Sequence, residues 1–400
     1  MRDDSTTASS LGRRTLLRQG TVATAGLVAL GTSASADESD DPTVITECTT
    51  ITEPGDYVLG DDLTAPEDES GLTIRASNVT LDGRGHTITR PGDRPLPNPD
   101  RPNPETAGVG TASPGAGTLS NVTVTNVTVE NFEAGVHFVR VRNGRISTTT
   151  TRENNVGLCL ESSTSNAVVD NEGVRNGWRG IALFESDENT ITENTSSDGS
   201  HPLSRGIELL HSNRNAIEEN TFDDNQIGVE LDSSDDNEIE RNTVRDNFRN
   251  IVLREDDENT LRDNTVTGAD MVGVEVSGTG NELVGNEVRD TRGFGCRISG
   301  AENLLRENEV TDSAAFGITV EGEEGRLEAN TASANELSGI RVSGRAYALE
   351  DNVATDNGQA GLLLDEESAD NTGDGNVLAD NEDAEFIDEG TNNSVGYTTE

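Results

Sequence analysis

His201 and His211, two of the chain's four histidines, lie in one short stretch crowded with charge. Glu208, Glu230 and Asp232 supply carboxylates there, and Arg205 and Arg254 supply guanidinium groups. Imidazole, neighbouring carboxylates and arginine together can position a general base, bind sugar hydroxyls or hold a metal ion. If the stretch is stranded, Glu208 and Glu230 project outward one above the other, with Asp232 beside Glu230. These seven residues form the candidate patch. The competing reading is a solvated face beside a decorated loop. It is the stronger of the two, because 75 acidic residues in a chain of 400 place carboxylates near any point.

A repeat positions that stretch. Segments of the form Gly-apolar-x-apolar begin at Gly135, Gly157, Gly180, Gly206, Gly228, Asn250, Gly273, Gly295, Gly317, Gly339 and Gly361, mostly 22 residues apart. In each unit an asparagine recurs at up to three places five residues apart, as in Asn166, Asn171 and Asn176, or Asn237, Asn242 and Asn247. Apolar columns run between them, including Ile191, Ile217, Ile239, Leu261 and Leu283, and Phe222, Val244, Val266, Val288 and Val310. Alternation such as Ile207-Glu208-Leu209 reads as a strand with two side chains in and one out. Each unit holds about three such strands separated by Asn- and Gly-bearing bends. One turn cannot bury its own apolar side chains, so it must stack on its neighbours, and the asparagines then align and can bond along the axis. Leucine-rich repeats need leucines where this chain has Asp-Asn and Glu-x-Asn, and hexapeptide helices have a shorter period. The expectation is an all-β parallel β-helix of roughly 11–13 turns. One unit breaks the period: Gly180 to Arg205 spans 26 residues, and the extra ones fall in Asp198–Arg205, which is why the patch around His201 stands out.

The opening run Cys48-Thr49-Thr50-Ile51-Thr52-Glu53-Pro54-Gly55-Asp56-Tyr57-Val58-Leu59, followed by Ala76-Ser77-Asn78-Val79-Thr80-Leu81-Asp82-Gly83-Arg84-Gly85-His86-Thr87-Ile88, resembles the start of NosD-like right-handed parallel β-helix proteins. The repeats from Gly135 resemble their later turns. The resemblance spans nearly all of residues 44–385. It implies a right-handed helix and a structural role for His86, and it says little about activity, since this fold hosts lyases, hydrolases, epimerases, adhesins and binding proteins. The family name suggests copper, but two Met, three Cys and four His, scattered through the chain, do not make a copper site.

Composition bounds the rest. The net charge is −46, and every basic residue is an arginine. Such a surface resembles that of proteins from salt-loving archaea, where salt screens the repulsion. It argues against nucleic acid and anionic membranes as partners, while weak calcium binding is chemically compatible with it. Residues 1–36 read as a twin-arginine (Tat-type) export signal: Arg13-Arg14, a mild apolar run from Val22 to Leu30, and Ala34-Ser35-Ala36 before the cut. No stretch is long enough to span a bilayer. Residues 37–43 read as an acidic linker and 44–134 as an N-terminal cap with the first turns. The proline-rich segment 91–117 is expected to leave the stack. Residues 135–384 are the regular repeats and 385–400 a C-terminal cap or tail. Asn-x-Ser/Thr sequons stand at Asn78, Asn121, Asn126, Asn194 and Asn392.

These readings converge on a secreted, non-enzymatic β-helix, without a cofactor, that presents a long acidic face to a carbohydrate or cell-surface polymer. The alternative is a polysaccharide lyase, glycoside hydrolase or epimerase using the outer face of residues 198–232. Signature motifs of such enzymes, among them Asp-Pro-His-Asp, do not occur.

Overall fold

A computed structural model describes residues 41–92, 106–112, 115 and 117–399. The expected export signal, most of the linker and most of the proline-rich segment lie outside them. The described chain is built from parallel strands stacked into a β-solenoid. A typical turn has one long strand and two short ones, for example Arg205–Leu210, Ala216–Glu218 and Thr221–Asp223. The long strands form one sheet of 15, from Thr49–Ile51 to Ala384–Asp388, and the short ones join in a second sheet of 29.

Fifteen turns exceed the expected 11–13, and the surplus lies at the ends. The long strands Thr49–Ile51 and Ala107–Thr111 do not carry the full Gly-apolar-x-apolar spelling, and Leu72–Ile74, which does carry it after Gly71, stands outside the run of units that starts at Gly135. Ala107–Thr111 also corrects the expectation that 91–117 leaves the stack throughout. It pairs with Leu72–Ile74 on one side and Ala134–Val139 on the other. The prolines of the segment lie on either side of it, and its Val109 is fully buried. At the other end, Ala384–Asp388 and Ser394–Thr398 add a last layer, with Phe386 and Val395 packed against the core.

One continuous core runs from Ile45 to Leu378. The inward columns Ile191, Ile217, Ile239 and Phe222, Val244 are wholly buried. Stacking is held at the corners by side-chain ladders. Asn220 Oδ1 accepts both the backbone N–H and the amide of Asn194 at 2.9 Å. Its own Nδ2 donates to Ile191 O at 2.9 Å and to Asn242 Oδ1 at 3.0 Å. The same bonds repeat in the other asparagine columns, as between Asn166 and Asn189. A serine ladder accompanies them: the backbone N–H groups of Ser163, Ser186 and Ser212 donate at 3.0 Å to Ser186, Ser212 and Ser234 Oγ. The residue before a ladder asparagine turns left-handed, as at Glu193 (φ 58°), Glu219 (φ 56°) and Arg241 (φ 52°). Each such non-glycine residue costs about 1–2 kcal/mol, so the ladder bonds must hold the corner in place. Burial of Asn194 in its ladder removes it as a glycosylation site in the folded chain, whereas Asn78, Asn121, Asn126 and Asn392 are exposed.

Candidate functional site

The outward positions of the long strands carry the charged residues singled out in the sequence. Register places Glu208 against Glu230, Leu210 against Asp232, and Asp232 against Arg254 on successive turns. Arg205 lies against Arg179 of the preceding turn. The four charged residues Arg205, Glu208, Glu230 and Arg254 come together, and Arg179 joins them. The Arg179 and Arg205 guanidinium groups both pair with Glu208, the latter at 3.1 Å. Arg205 and Arg254 both pair with Glu230, the latter at 3.0 Å.

Each carboxylate is therefore clamped between two guanidinium groups. Glu208 is only 7% exposed and Glu230 4%. This corrects the picture of a solvated acidic face: the long arginine side chains fold back over the strands and cover the carboxylates. Arg179 occupies the same column as Arg205 and escaped the sequence reading because it lies one turn before the expansion Asp198–Arg205 that drew attention to the patch. Its guanidinium also lies over the Phe184 ring, 5.3 Å from the centroid. Phe184 belongs to a small apolar cluster with Val156, Cys159 and Ala182 on the outside of the main core. Sequence alternation marks these positions as outward but cannot show that they pack together.

The ladder of charge continues along the axis. Arg249 pairs with Glu275 at 2.9 Å, and Arg297 approaches Glu275 at 3.9 Å and Glu321 at 3.4 Å. Arg341 pairs with Asp365 at 2.8 Å. At outward positions from Val156 to Asp365, six arginines (179, 205, 249, 254, 297, 341) face seven carboxylates (161, 208, 230, 232, 275, 321, 365). The strip has a net charge of −1 in a chain of −46. The long-strand face is thus charge-balanced and is not the expected acidic face; the acidity lies on the other surfaces. A shallow groove of about 260 Å³ opens on this face among Arg249, Arg254, Glu275 and Arg297.

The two histidines do not join the carboxylates. His201 lies in the four-residue expansion before Arg205, where its ring stacks on Trp178 at 3.8 Å and 24°. Its Nδ1 accepts from the Leu203 backbone N–H at 3.0 Å. His211 is exposed in a left-handed corner (φ 51°) after the strand, its backbone N–H donating to Asp232 O at 3.1 Å. The strand Arg205–Leu210 separates them by about 20 Å, at about 3.3 Å per residue. Asp232 is half-buried and accepts from Ser233 Oγ at 3.0 Å. The patch therefore splits into an Arg–Glu clamp, a Trp178–His201 stack at one end and His211 at the other. Elsewhere, His86 Nδ1 lies 3.1 Å from Asp62 Oδ1. The Thr87 backbone N–H and His86 hold that carboxyl below its usual range. His137, at an outward position of the strand Ala134–Val139, is fully buried with Nε2 3.2 Å from Glu161.

Residues 111–251 match the family described as periplasmic copper-binding protein (NosD), and residues 249–398 match the right handed beta helix region. The chain is a NosD-like right-handed β-helix protein. A comparison with curated proteins finds no match. Among solved structures, the NosD-like chain is similar to a mutant DFA-IIIase from Arthrobacter chlorophenolicus A6 in complex with DFA-III. That similarity has 13% identity and a TM-score of 0.52, and covers 65% of this chain and 74% of that one. A second structure of the same mutant enzyme gives 12% and 0.54, over 70% and 85% of the two chains. The A-module of the Azotobacter vinelandii mannuronan C-5 epimerase AlgE6 gives 15% and 0.52, over 81% and 90%. At these identities the likeness shows the fold. Copper needs imidazole, thiolate or thioether donors converging on one point. Among the described residues no group of three His, Cys, Asp or Glu converges in that way. The NosD-like chain's donors thus do not fit the copper role. Nor do the described residues contain a helix long and apolar enough to cross a membrane.

Proposed function

We propose that the protein is an exported carbohydrate-binding β-helix that holds a glycan along its long-strand face without transforming it. The observation that carries this reading is the double clamp on Glu208 and Glu230. A general acid or base must reach the substrate and exchange a proton, whereas these carboxylates are buried and committed to arginines. The histidines that would partner them lie at opposite ends of the strand. What the face offers instead is a charge-balanced strip, the Trp178–His201 stack and ordered guanidinium groups, which suit hydroxyl and ring contacts. The similar DFA-IIIase structure with bound DFA-III and the mannuronan epimerase support the carbohydrate part of this reading; both are enzymes, so the absence of transformation rests on the clamp alone. Residues 1–36 act as a twin-arginine export signal in this reading, so mature protein begins after Ala36 when its N-terminus is sequenced.

A polysaccharide panel tests the proposal. Retention of the purified protein on at least one polymer is expected, weakened tenfold or more by Trp178→Ala, with no reducing or unsaturated sugar released and no epimer change. The enzyme reading replaces it if product forms and His211→Ala abolishes that product at unchanged melting temperature.

A further inference from the structure

A second region of the long-strand face lies near the N-terminal end, its nearer edge two turns from the strand that follows Trp178. There a groove of about 580 Å³ runs over the first four turns, within the range of small-ligand sites. Thr50 and Thr73, paired in register, present hydroxyls on its floor. Gly110 follows Thr73 in the same column and contributes no side chain. Asp68, Glu69 and Ser70 line the groove from the connection before Gly71, and Arg75 and Arg140 line it from beyond the strands' far ends.

The groove's arginines differ from the clamped ones of the central face, a freedom they share with Arg84, Arg142, Arg145 and Arg306 among the described residues. In the central turns, Arg179, Arg205, Arg249 and Arg254 are each committed to a glutamate. Arg75 and Arg140 are exposed, and among the described residues neither guanidinium has an ion-pair partner, in a chain of 75 acidic residues. Val139, which Arg140 follows, lies two turns from Arg75 in register, about 10 Å at about 4.8 Å per turn. A simple anion would be repelled by Asp68 and Glu69, and a simple cation by the arginines. A ligand with a carboxylate at one edge and hydroxyls at the other satisfies both walls: guanidinium groups donate to the carboxylate, and hydroxyls donate to Asp68 and Glu69.

We propose that this groove binds an acidic sugar, a uronic acid residue or short oligomer of such residues, with Arg75 and Arg140 holding carboxylate and Asp68 and Glu69 accepting from hydroxyls. Binding rather than covalent chemistry is the role, because Cys48, the nucleophile at hand, has its thiol pushed up by burial and by Glu69 and Glu47, which disfavours the reactive thiolate. The site does not depend on the Trp178 stack.

The test is calorimetric titration of the full mature chain with a short oligogalacturonate and with a neutral gluco-oligosaccharide of equal length, in 1 M NaCl. That salt confines the repulsive field of the chain to about 3 Å. The acidic oligomer is expected to bind at least tenfold tighter than the neutral one. The double variant Arg75→Ala/Arg140→Ala should lose that preference at unchanged melting temperature, and Trp178→Ala should keep it. Equal binding of both oligomers, or a double variant that binds the acidic one like the parent, overturns the inference. Loss of preference in Trp178→Ala alone also overturns it and moves the acidic-sugar site to the central face.

Discussion

At the corner that carries Asn171, Asn194, Asn220 and Asn242, the same amide makes the same bonds turn after turn. One strand away, the outward position in successive turns reads Cys159, Ala182, Glu208, Glu230, Val252 and Glu275. The corner repeats because its bonding partner is always the next copy of itself. The outward face varies because nothing in the stacking fixes it. Variation that stacking does not demand is where recognition can reside, so the long strands' outer face, not the corners, is the place to look for function.

Perturbing the corner should cost most. Asn220→Leu removes an acceptor for two bonds from Asn194 and a donor to Ile191 and Asn242. Each orphaned buried group costs about 1–3 kcal/mol, so a loss of about 4 kcal/mol in urea unfolding is expected. A loss below about 1 kcal/mol would show that the ladder is ornamental.

The corner also contains an exception. Where the serine ladder continues past Ser234, Asp256 takes the place of serine, fully buried, accepting from the Ser234 backbone N–H at 2.6 Å and from that of Arg254. Burial pushes its carboxyl up to about 7. A folded-state value raised above the unfolded one means that the folded chain holds the proton more tightly. The associated stability is therefore complete below about pH 4 and is lost as pH rises through 7. Asp256→Ser should match the parent near pH 4 and exceed it by about 4 kcal/mol at pH 8, because the carboxyl moves from its ordinary 3.8 to about 7 and each pH unit is worth about 1.4 kcal/mol. A difference independent of pH would contradict the buried-carboxyl account.

On the outer face the effects should be smaller. Arg205→Ala leaves Glu208 and Glu230 with one guanidinium each, and about 2 kcal/mol is expected, below the roughly 3–5 kcal/mol of a fully uncompensated buried charge. Arg241→Ala removes an exposed arginine bonded to Glu218, Glu219 and Glu240, and less than about 1 kcal/mol should follow. If Arg241 mattered as much as Arg205, the distinction between the clamped face and the open surface would collapse.

The sequence carried the fold well because stacking writes itself as period: glycine starts, asparagine columns and inward apolar columns all appear in the solenoid. It undercounted turns because strands such as Ala107–Thr111 pair in register without spelling the motif. The serine ladder passed unnoticed because serine also suits any exposed bend. The site was half legible. Alternation correctly put Glu208 and Glu230 one above the other, but period says nothing of how a flexible side chain folds. Arg179 and Arg205 closing over those carboxylates depends on arginine length and on Phe184, and the separation of His201 from His211 on the strand between them.

The most direct test of glycan binding on the long-strand face is hydrogen exchange with and without the polysaccharide that the protein retains. Added protection should concentrate in Arg179–Phe184, Arg205–Leu210 and the connection 198–204 between them, with the polymer recovered unchanged. Protection confined to the short-strand faces, or recovery of a cleaved or epimerised polymer, would contradict the account.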